Sequence, residues 1–210
     1  MSGNRERVIE AATALFHQKG FPGTSVEDLL VATGVSRSNF YYHFTGKEAV
    51  AVEVVRYWIQ VYEAELVGPA LGTVEDAHPA TRGADQSPTT MTDRILALFD
   101  LAGDSQDPET GPLGCPLGQL ACELSESSPH VRSLLAAYFS SLRDRIQRWM
   151  EGLDLPGAGD TPDVPARMAT LVVAVLEGGF LMGRLHQDPA WVRTAGHQLG
   201  ELLREVMHSP

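Results

Sequence analysis

The sequence is poor in the features that mark secreted and membrane-spanning proteins. Its 210 residues contain only two cysteines, too few for a disulfide framework. The N-terminal twelve residues have no apolar signal-peptide core. The longest uncharged apolar run covers residues 168–176, whereas a helix that crosses a bilayer needs about 20 residues. We therefore expect a cytoplasmic protein.

The motifs of the common enzyme classes are also missing. There is no glycine-rich phosphate loop after a strand, no metal-ligand spacing of histidine and cysteine, and no nucleophile elbow. No segment shows the apolar–polar alternation of a half-buried strand. The sequence therefore predicts an all-α protein without enzymatic activity, metal or cofactor.

The acidic charge is confined to one part of the chain. The formal net charge is −11, but residues 1–50 hold five basic and five acidic residues and are neutral. The remaining residues hold 11 basic and 22 acidic ones and carry the whole excess. Such an acidic surface argues against binding to anionic lipid. The first fifty residues are therefore chemically distinct from the rest.

Apolar residues recur at helical spacing along almost the whole chain, and we predict nine helices. Thr24–Glu27 and Thr45–Glu48 each place a carboxylate three residues after a hydroxyl, which is typical of a capping box at a helix start. Ser87, Ser128, Thr161 and Asp188 each precede a proline, another start signal. Residues 68–88, rich in Gly, Pro and Asp, are expected to form a loop. The second predicted helix runs from the capping box at 24–27 to Gly34, and the fourth runs from the capping box at 45–48 to about Val67. The other seven cover residues 4–19, 36–42, 88–102, 115–126, 129–153, 162–186 and 189–207.

Residues 25–42 have the spacing of a helix-turn-helix, with a tight turn at Thr33-Gly34-Val35. In that motif the N-terminal side chains of the second helix meet base edges and phosphates in the major groove. The two-pronged guanidinium of Arg37 can donate two hydrogen bonds to guanine, and the amide of Asn39 can donate one and accept one from adenine. The hydroxyls of Ser36 and Ser38 suit phosphates or either base. Phe40 and Phe44, four residues apart, are expected to point inward. Tyr41 or Tyr42 is expected to donate its hydroxyl to one phosphate, and Lys47 is expected to contact a second one.

These residues are similar to the DNA-binding segment of TetR-type transcriptional repressors. The resemblance rests on residues 5–50 and runs through Leu29, Ala32, Gly34-Val35-Ser36, Phe40-Tyr41-Tyr42-His43-Phe44 and Lys47-Glu48. It departs from the commonest pattern at Asn39-Phe40, which affects the bases that are read. The family implies a homodimer with a helix-turn-helix domain (1–48) and a helical effector-binding and dimerisation domain (49–210). The full predicted DNA-binding set is Thr24, Ser36, Arg37, Ser38, Asn39, Tyr41, Tyr42, His43 and Lys47.

The helix at 162–186 contains three glycines in six residues, at 178, 179 and 183. Glycine costs up to about 1 kcal/mol in a helix interior relative to alanine, so close approach of another helix is expected there. In the resembled family the last two helices of each subunit form a four-helix dimer bundle; the alternatives are an internal helix pair or a kink around an effector. The predicted dimer residues are Leu176, Gly179, Gly183, Trp191, Leu199 and Leu202.

An effector pocket is expected among the later helices. Cys115 opens a helix, where the helix dipole favours a thiolate, so a thiol that reacts with electrophiles or oxidants is one interpretation. A small buried residue at the pocket lip is the other. Glu123 and Glu177 are carboxylates whose burial would require a partner or a cationic ligand. The predicted effector residues are Trp58, Tyr62, Phe99, Cys115, Glu123, Tyr138, Phe139, Glu177 and Phe180.

The sequence thus predicts a repressor that binds a palindromic double-stranded operator as a homodimer and is released by a small-molecule effector. Two alternatives stay open at this point. One is a repressor that senses electrophiles or oxidants through Cys115. The other is a helical adaptor that does not bind DNA, which the neutral charge of residues 1–50 favours.

Overall fold

The computed structural model describes residues 3–72, 88–109, 111, 113–151 and 163–208. Regular structure within these ranges is entirely helical. If α4, the π-helical turn and α5 are taken as one continuous helix, the described residues form nine helices, as predicted. The elements are α1 (Asn4–Lys19), α2 (Val26–Thr33), α3 (Arg37–His43), α4 (Lys47–Tyr62), a π-helical turn (Glu63–Val67), α5 (Gly68–Leu71), α6 (Pro88–Asp104), α7 (Pro116–Leu124), α8 (Pro129–Met150), α9 (Val164–His186) and α10 (Ala190–His208).

The helix starts follow the predicted capping chemistry with two one-residue shifts, of which the second is that Gly46 and not Thr45 directly precedes α4. The cap of α2 is Ser25 and not Thr24: the Ser25 hydroxyl accepts the Asp28 N–H at 3.1 Å, and the Asp28 carboxylate accepts the Ser25 N–H at 2.7 Å. Hydrogen bonds from the Ser25 hydroxyl and backbone lower the pKa of Asp28. Ser128 accepts the Val131 N–H at the start of α8, and Asp188 accepts the Ala190 N–H before α10. The expected caps Ser87 and Thr161 lie outside the described residues.

The fourth predicted helix continues farther than its sequence pattern indicated. The π-helical turn reaches Val67, where the predicted helix ended, and α5 continues it to Leu71. Gly72 then ends the helix with a positive φ of 69°. Three side chains hold its last carbonyls: Trp149 donates to Leu71 O at 2.8 Å, Arg94 to Ala70 O at 3.3 Å, and Arg145 to Gly72 O at 3.2 Å. Most of the predicted loop (residues 73–87) lies outside the described residues.

The described chain divides into two compact units. Unit 1 comprises residues 1–60 and 115–137, and unit 2 comprises residues 61–114 and 138–210. The first unit thus includes α7 and the beginning of α8 besides the predicted helix-turn-helix domain. Its core contains Val8, Phe16, Leu29, Phe40 and Val54, each at most 1% exposed.

Unit 2 is built on the packing of α10 against α6 and α9. Two glycines of α10 allow close approach to α6: a Cβ at Gly196 would lie 2.3 Å from the Phe99 side chain, and one at Gly200 would lie 2.8 Å from Leu96. Any larger residue would force the helices apart. The core here includes Ile95, Val172 and Leu199.

Helix α9 is long and apolar enough, by length and composition alone, to cross a membrane, with a mean hydropathy of 1.6 over its best window. It is the only described helix with this property. One of its faces is buried, with Ala169, Val172 and Phe180 at most 2% exposed. Packing within unit 2 therefore accounts for part of its apolar character.

Candidate nucleic-acid interface and effector cavity

The second helix of the helix-turn-helix, α3, is anchored by its aromatic residues. Gly34, with φ of 66°, ends α2 and turns the chain into α3. Ser36 caps α3 by accepting the Asn39 N–H at 3.3 Å. Phe40 is fully buried and Phe44 is 4% exposed, so they point inward as predicted, and their ring centroids lie 5.5 Å apart. The opposite face of α3 is left to solvent.

That exposed face presents most of the predicted DNA-reading residues. Tyr42 is 83% exposed and Tyr41 is 50% exposed. The Arg37 guanidinium pairs with the Glu27 carboxylate at 2.5 Å, and both side chains are about 60% exposed. Glu27 was absent from the predicted set; its place on α2, ten residues before Arg37, gives no local spacing that reveals the pair. The predicted residues that reach solvent are Ser36, Arg37, Ser38, Tyr41, Tyr42 and His43.

Three members of the predicted set are placed differently. Thr24 is 1% exposed, and its hydroxyl donates to Gly20 O at 2.9 Å, so its side chain is a structural group of the α1–α2 turn. Asn39 is half-buried, with its Oδ1 atom out of reach of solvent and of hydrogen-bond donors in the described residues. Lys47 donates to Phe21 O and Thr24 O, both at 2.6 Å.

Lys47 closes the α1–α2 turn from the side of α4. Its ammonium lies 4.1 Å from the centre of the Phe21 ring. Desolvation lowers the pKa of Lys47, while the charges of Asp28 and Glu123 oppose the shift. Two of its three N–H donors are used inside the protein, which leaves one donor for a phosphate.

The other basic residues of the predicted helix-turn-helix domain are engaged as well. Arg5 pairs with Glu53 at 2.7 Å, Lys19 lies 3.8 Å from Asp28, and Arg7 donates to Thr33 O. The pairs of Arg5, Lys19 and Arg37 with carboxylates neutralise part of this surface locally, and Arg7 is engaged by a backbone carbonyl. DNA must therefore compete with protein acceptors for these cations.

Helix α7 is tied to the α1–α2 turn by two polar side chains. Glu123 accepts the Phe21 N–H at 2.6 Å, and Gln119 donates to Phe16 O at 3.1 Å and to Glu123 at 3.0 Å. Gly20, with φ of 77°, makes room, since a Cβ there would lie 2.7 Å from Glu123 Oε1. Glu123 therefore holds the turn, whereas it was expected to line the effector pocket.

Unit 2 contains a narrow cavity with an open volume of about 10 Å³, which is room for about one water molecule. Five predicted effector residues line it, and Glu177 is the single charged residue in the lining. The Tyr62 and Phe180 rings are nearly parallel, with centroids 6.4 Å apart. The lining consists of Tyr62, Leu66, Val67, Leu98, Ala102, Tyr138, Phe139, Leu142, Leu176, Glu177 and Phe180.

The remaining predicted effector residues lie elsewhere. Phe99 is fully buried against Gly196 of α10, and its neighbours Leu98 and Ala102 face the cavity instead. Trp58 and Cys115 belong to unit 1. The Trp58 ring packs edge-on against His17, and the Cys115 sulfur caps α7 by accepting the Gly118 N–H at 3.2 Å. Cys115 is buried and Cys122 is exposed, and both are free thiols.

Two of the three glycines of α9, Gly179 and Gly183, pack inside the subunit rather than on its surface. A Cβ at Gly179 would lie 3.1 Å from Val192 Cα, and one at Gly183 would lie 3.2 Å from Asp188 O, so both face α10 and the turn before it. Leu176 lines the cavity and Leu199 is 4% exposed. Gly179 and Gly183 therefore build the internal helix pair that was the alternative interpretation, and Leu176 and Leu199 are buried within the subunit. Trp191 and Leu202, at 37% and 59% exposed, remain available at the surface.

A different stripe of α9 is apolar and exposed. Leu171, Leu181 and Leu185 are 49%, 66% and 70% exposed. Ala174 is exposed between them, and a Cβ at Gly178 would meet no atom within 4 Å. Positions 171, 174, 178, 181 and 185 follow the alternating three- and four-residue steps of a helix–helix seam. We name these five residues the α9 stripe. Its heptad spacing is visible in the sequence, but the predicted dimer seam included Gly179 and Gly183, which lie on the face of α9 that packs against α10.

A short helix with exposed polar groups at its N-terminus, anchored by buried rings and preceded by a left-handed turn, defines a helix-turn-helix DNA-binding regulator. The comparisons with known proteins agree. Residues 8–54 match the model of bacterial regulatory proteins of the tetR family. Residues 92–198, half of the chain, match the C-terminal domain of LmrA/YxaF-like transcriptional regulators. The chain belongs to the TetR family of transcriptional regulators.

Individual relatives span nearly the whole chain. It is 26% identical to the transcriptional regulator LmrA of Bacillus subtilis over 180 residues, 85% of each chain. It is 25% identical to the transcriptional repressor DhaR of a Mycobacterium species over 185 residues, 88% of this chain and 84% of the other. In fold it resembles SCO4454, a TetR-family regulator from Streptomyces coelicolor, with a TM-score of 0.75 at 19% identity over 99% and 91% of the two chains. These findings favour a DNA-binding regulator over the helical adaptor.

Proposed function

We propose that this protein is a homodimeric, cytoplasmic repressor that binds a palindromic operator and is released by a small-molecule effector, without enzymatic turnover. The observation that carries the proposal is the exposed start of α3, where Ser36, Arg37 and Ser38 face solvent while Phe40 anchors the helix. Side chains at this position of a helix-turn-helix read base edges, and Arg37 is the one suited to guanine.

Dimerisation is supported by the α9 stripe. Monomeric proteins rarely expose large contiguous apolar patches, and this stripe has the spacing of a helix–helix contact. Trp191 and Leu202 of α10 are the predicted dimer residues that can extend the seam. A two-fold dimer presents two identical α3 helices, which matches a palindrome with half-sites about one helical turn, roughly 34–36 Å, apart.

Effector control is supported by the cavity of unit 2. Its apolar and aromatic lining with one carboxylate has the composition of a small-molecule site, and its open volume of about 10 Å³ means that the walls must move apart to admit an effector. An effector releases DNA only if it binds the low-affinity state more tightly than the DNA-binding state. Near-complete release requires a difference of several kcal/mol, about 5.5 kcal/mol for a shift from 1:99 to 99:1.

Repression, rather than activation, is proposed from the kinship with proteins such as DhaR, whose name describes a repressor. Selection of random duplex DNA at stated moderate salt tests the proposal. We expect a palindrome whose half-sites lie about one helical turn, roughly 10 base pairs, apart. If no sequence is enriched, even at low salt, the proposal fails. The selected operator then serves to screen effectors by DNA release.

A thiol-based trigger is the second candidate, and a specific contact favours it. Cys115 sits at the N-terminus of α7 with its sulfur accepting a backbone N–H, an environment that stabilises a thiolate. The same α7 holds the α1–α2 turn through Gln119 and Glu123. If this candidate is right, an electrophile such as N-ethylmaleimide releases DNA from the wild type and from Cys122→Ser but not from Cys115→Ser.

A further inference from the structure

We propose that Glu123 of α7 is a positioning residue for DNA binding, which fixes the α1–α2 turn and, through that turn, aims the ammonium of Lys47 at a phosphate. This inference rests on the proposed function, since it assigns a further residue to the same DNA-contacting surface. It follows from the contacts made on the two sides of one residue of the turn, Phe21.

Both backbone polar groups of Phe21 are held by charged side chains. Its N–H donates to the Glu123 carboxylate at 2.6 Å, and its carbonyl oxygen accepts from the Lys47 ammonium, also at 2.6 Å. Hydrogen bonds to ionised groups are roughly twice as strong as those between neutral groups. The turn is therefore fixed from two sides, by α7 at the N–H of Phe21 and by α4 at its carbonyl.

The same contacts orient the ammonium of Lys47. It makes a second hydrogen bond to Thr24 O at 2.6 Å and lies 4.1 Å from the centre of the Phe21 ring. With two of its three N–H groups held, the third has one fixed direction. A donor that is oriented before DNA arrives loses less conformational freedom on binding. Lys47 can keep this orientation only while the carbonyls of Phe21 and Thr24 stay in place.

Glu123 sits in a cradle that fits its carboxylate. Gly20 has a φ of 77°, and a Cβ there would lie 2.7 Å from Glu123 Oε1, so a larger residue would push the carboxylate away. Gln119, one helical turn before Glu123, donates to Oε1 at 3.0 Å and to Phe16 O at 3.1 Å. Both oxygens of Glu123 are thus engaged, and the carboxylate cannot turn away from Phe21 without breaking two hydrogen bonds.

The charge of Glu123 also acts on Lys47. Desolvation lowers the pKa of Lys47, whereas the charges of Asp28 and Glu123 raise it. The two carboxylates thus favour the charged form of the ammonium, which is the form that neutralises a phosphate. Position and charge act in the same direction here, so the test has to separate them.

Glu123 lies far from the predicted helix-turn-helix domain in the sequence. It falls in residues 49–210, which were expected to bind an effector and to dimerise, but in the structure it belongs to unit 1. Gly114, two residues before α7, belongs to unit 2, where its N–H donates to Gln106 at 2.6 Å. Helix α7 therefore begins beside a residue fixed in unit 2 and ends on the turn that holds Lys47.

The test measures the salt dependence of affinity for the selected operator by fluorescence anisotropy. The slope of log affinity against log salt concentration falls by about 0.9 for each phosphate contact that is lost. Glu123→Asp keeps the charge but shortens the side chain by one methylene, so its carboxylate no longer reaches the Phe21 N–H. We expect this variant to lose about 0.9 of the slope for each bound chain and to bind about tenfold more weakly at moderate salt.

Glu123→Gln makes the opposite change, since it removes the charge but keeps an oxygen acceptor for the Phe21 N–H, and it should retain the wild-type slope. Lys47→Met should lose the same slope as Glu123→Asp, and combining the two substitutions should cause no further loss. Glu126→Asp is the matched control: it shortens an exposed glutamate three residues after Glu123 and should change nothing. Circular dichroism establishes that each variant is folded before the slopes are compared.

A wild-type slope in Glu123→Asp overturns the inference, and so does a larger loss in Glu123→Gln than in Glu123→Asp. A further loss when Glu123→Asp is added to Lys47→Met also overturns it, because Glu123 would then act elsewhere than through Lys47. Failure of the proposed function would appear separately, as failure to select any operator. The slopes are then measured on a duplex of mixed sequence, since phosphate contacts do not depend on base sequence.

Discussion

The two units of this protein differ in how their chemistry is written in the sequence. Unit 1, which contains the helix-turn-helix and is called the DNA-reading unit below, is specified by short local patterns. A helix cap, a left-handed glycine, polar residues and then a run of aromatic residues all lie within residues 25–44. Unit 2 instead gathers residues from distant positions in the chain, such as Tyr62, Tyr138 and Phe180 around one cavity. A local pattern can be read from one sequence, whereas a gathered site depends on which face of each helix turns inward.

The inward placement of Phe40 is the strongest anchor in the DNA-reading unit, so its loss should have the largest effect. We predict that Phe40→Ala lowers the free energy of unfolding by about 3–5 kcal/mol, because the ring is fully buried. Tyr42→Ala, two residues away on the exposed face, should change it by less than about 0.5 kcal/mol. Chemical denaturation followed by circular dichroism measures both; similar losses in the two variants would show that α3 is oriented differently.

The α9 stripe is the proposed dimer surface of unit 2, whereas the sequence predicted the dimer seam at the glycines of this helix. We predict that Leu181→Arg weakens self-association about a hundredfold, because the substitution places an unpaired charge in the centre of the proposed seam. Ser141→Arg, which adds the same charge at an exposed position of α8, serves as the control. Sedimentation equilibrium measures the dissociation constant. A Leu181→Arg protein that associates like the wild type would place the dimer seam elsewhere.

Arg37 is the side chain best placed to contact bases, so its removal should weaken base recognition and leave the fold intact. We predict that Arg37→Ala costs about 1–3 kcal/mol of operator affinity and relaxes the preference at one base pair of each half-site. Stability should change little, since the side chain is about 60% exposed. Arg132→Ala removes another exposed arginine of unit 1 and should leave affinity unchanged. Fluorescence anisotropy on operator duplexes with single substitutions provides the measurement; an unchanged preference would remove Arg37 from the reading set.

The Glu27–Arg37 pair should produce the smallest of these effects, with the opposite sign. We predict that Glu27→Gln strengthens operator binding by up to about 1 kcal/mol, because it frees Arg37 from an exposed ion pair and removes a negative charge near the phosphates. The gain should vanish when Arg37→Ala is added, which a double-mutant cycle detects. Weaker binding by Glu27→Gln would mean that Glu27 holds Arg37 in its reading position.

These differences also show how far the sequence could predict the structure. The helix count, the inward Phe40 and Phe44, and the exposed start of α3 follow from periodicity and capping, which are local. Thr24 was expected at the DNA surface, but Ser25 takes the cap and the Thr24 hydroxyl turns to Gly20 O. Such a one-residue shift depends on backbone angles that composition does not fix.

Long-range contacts could not be predicted from the sequence for a related reason. Glu123 was expected in the effector pocket because its burial would require a partner or a cationic ligand. It is instead bonded to Phe21 N, more than a hundred residues earlier in the chain. Similarly, Gly179 and Gly183 correctly indicated a close helix approach, but only the tertiary packing shows that the neighbour is α10 of the same chain. The spacing of the glycines indicates that another helix approaches closely, but it does not identify that helix.

The central claim is that two copies, joined through unit 2, read one operator through their α3 helices. The most direct test is the mass of the complex formed on the selected operator duplex, measured by native mass spectrometry. The account predicts an even number of chains on each duplex, with two on a minimal palindrome and identical half-sites. A single chain on each duplex, with full affinity for an isolated half-site, would contradict it.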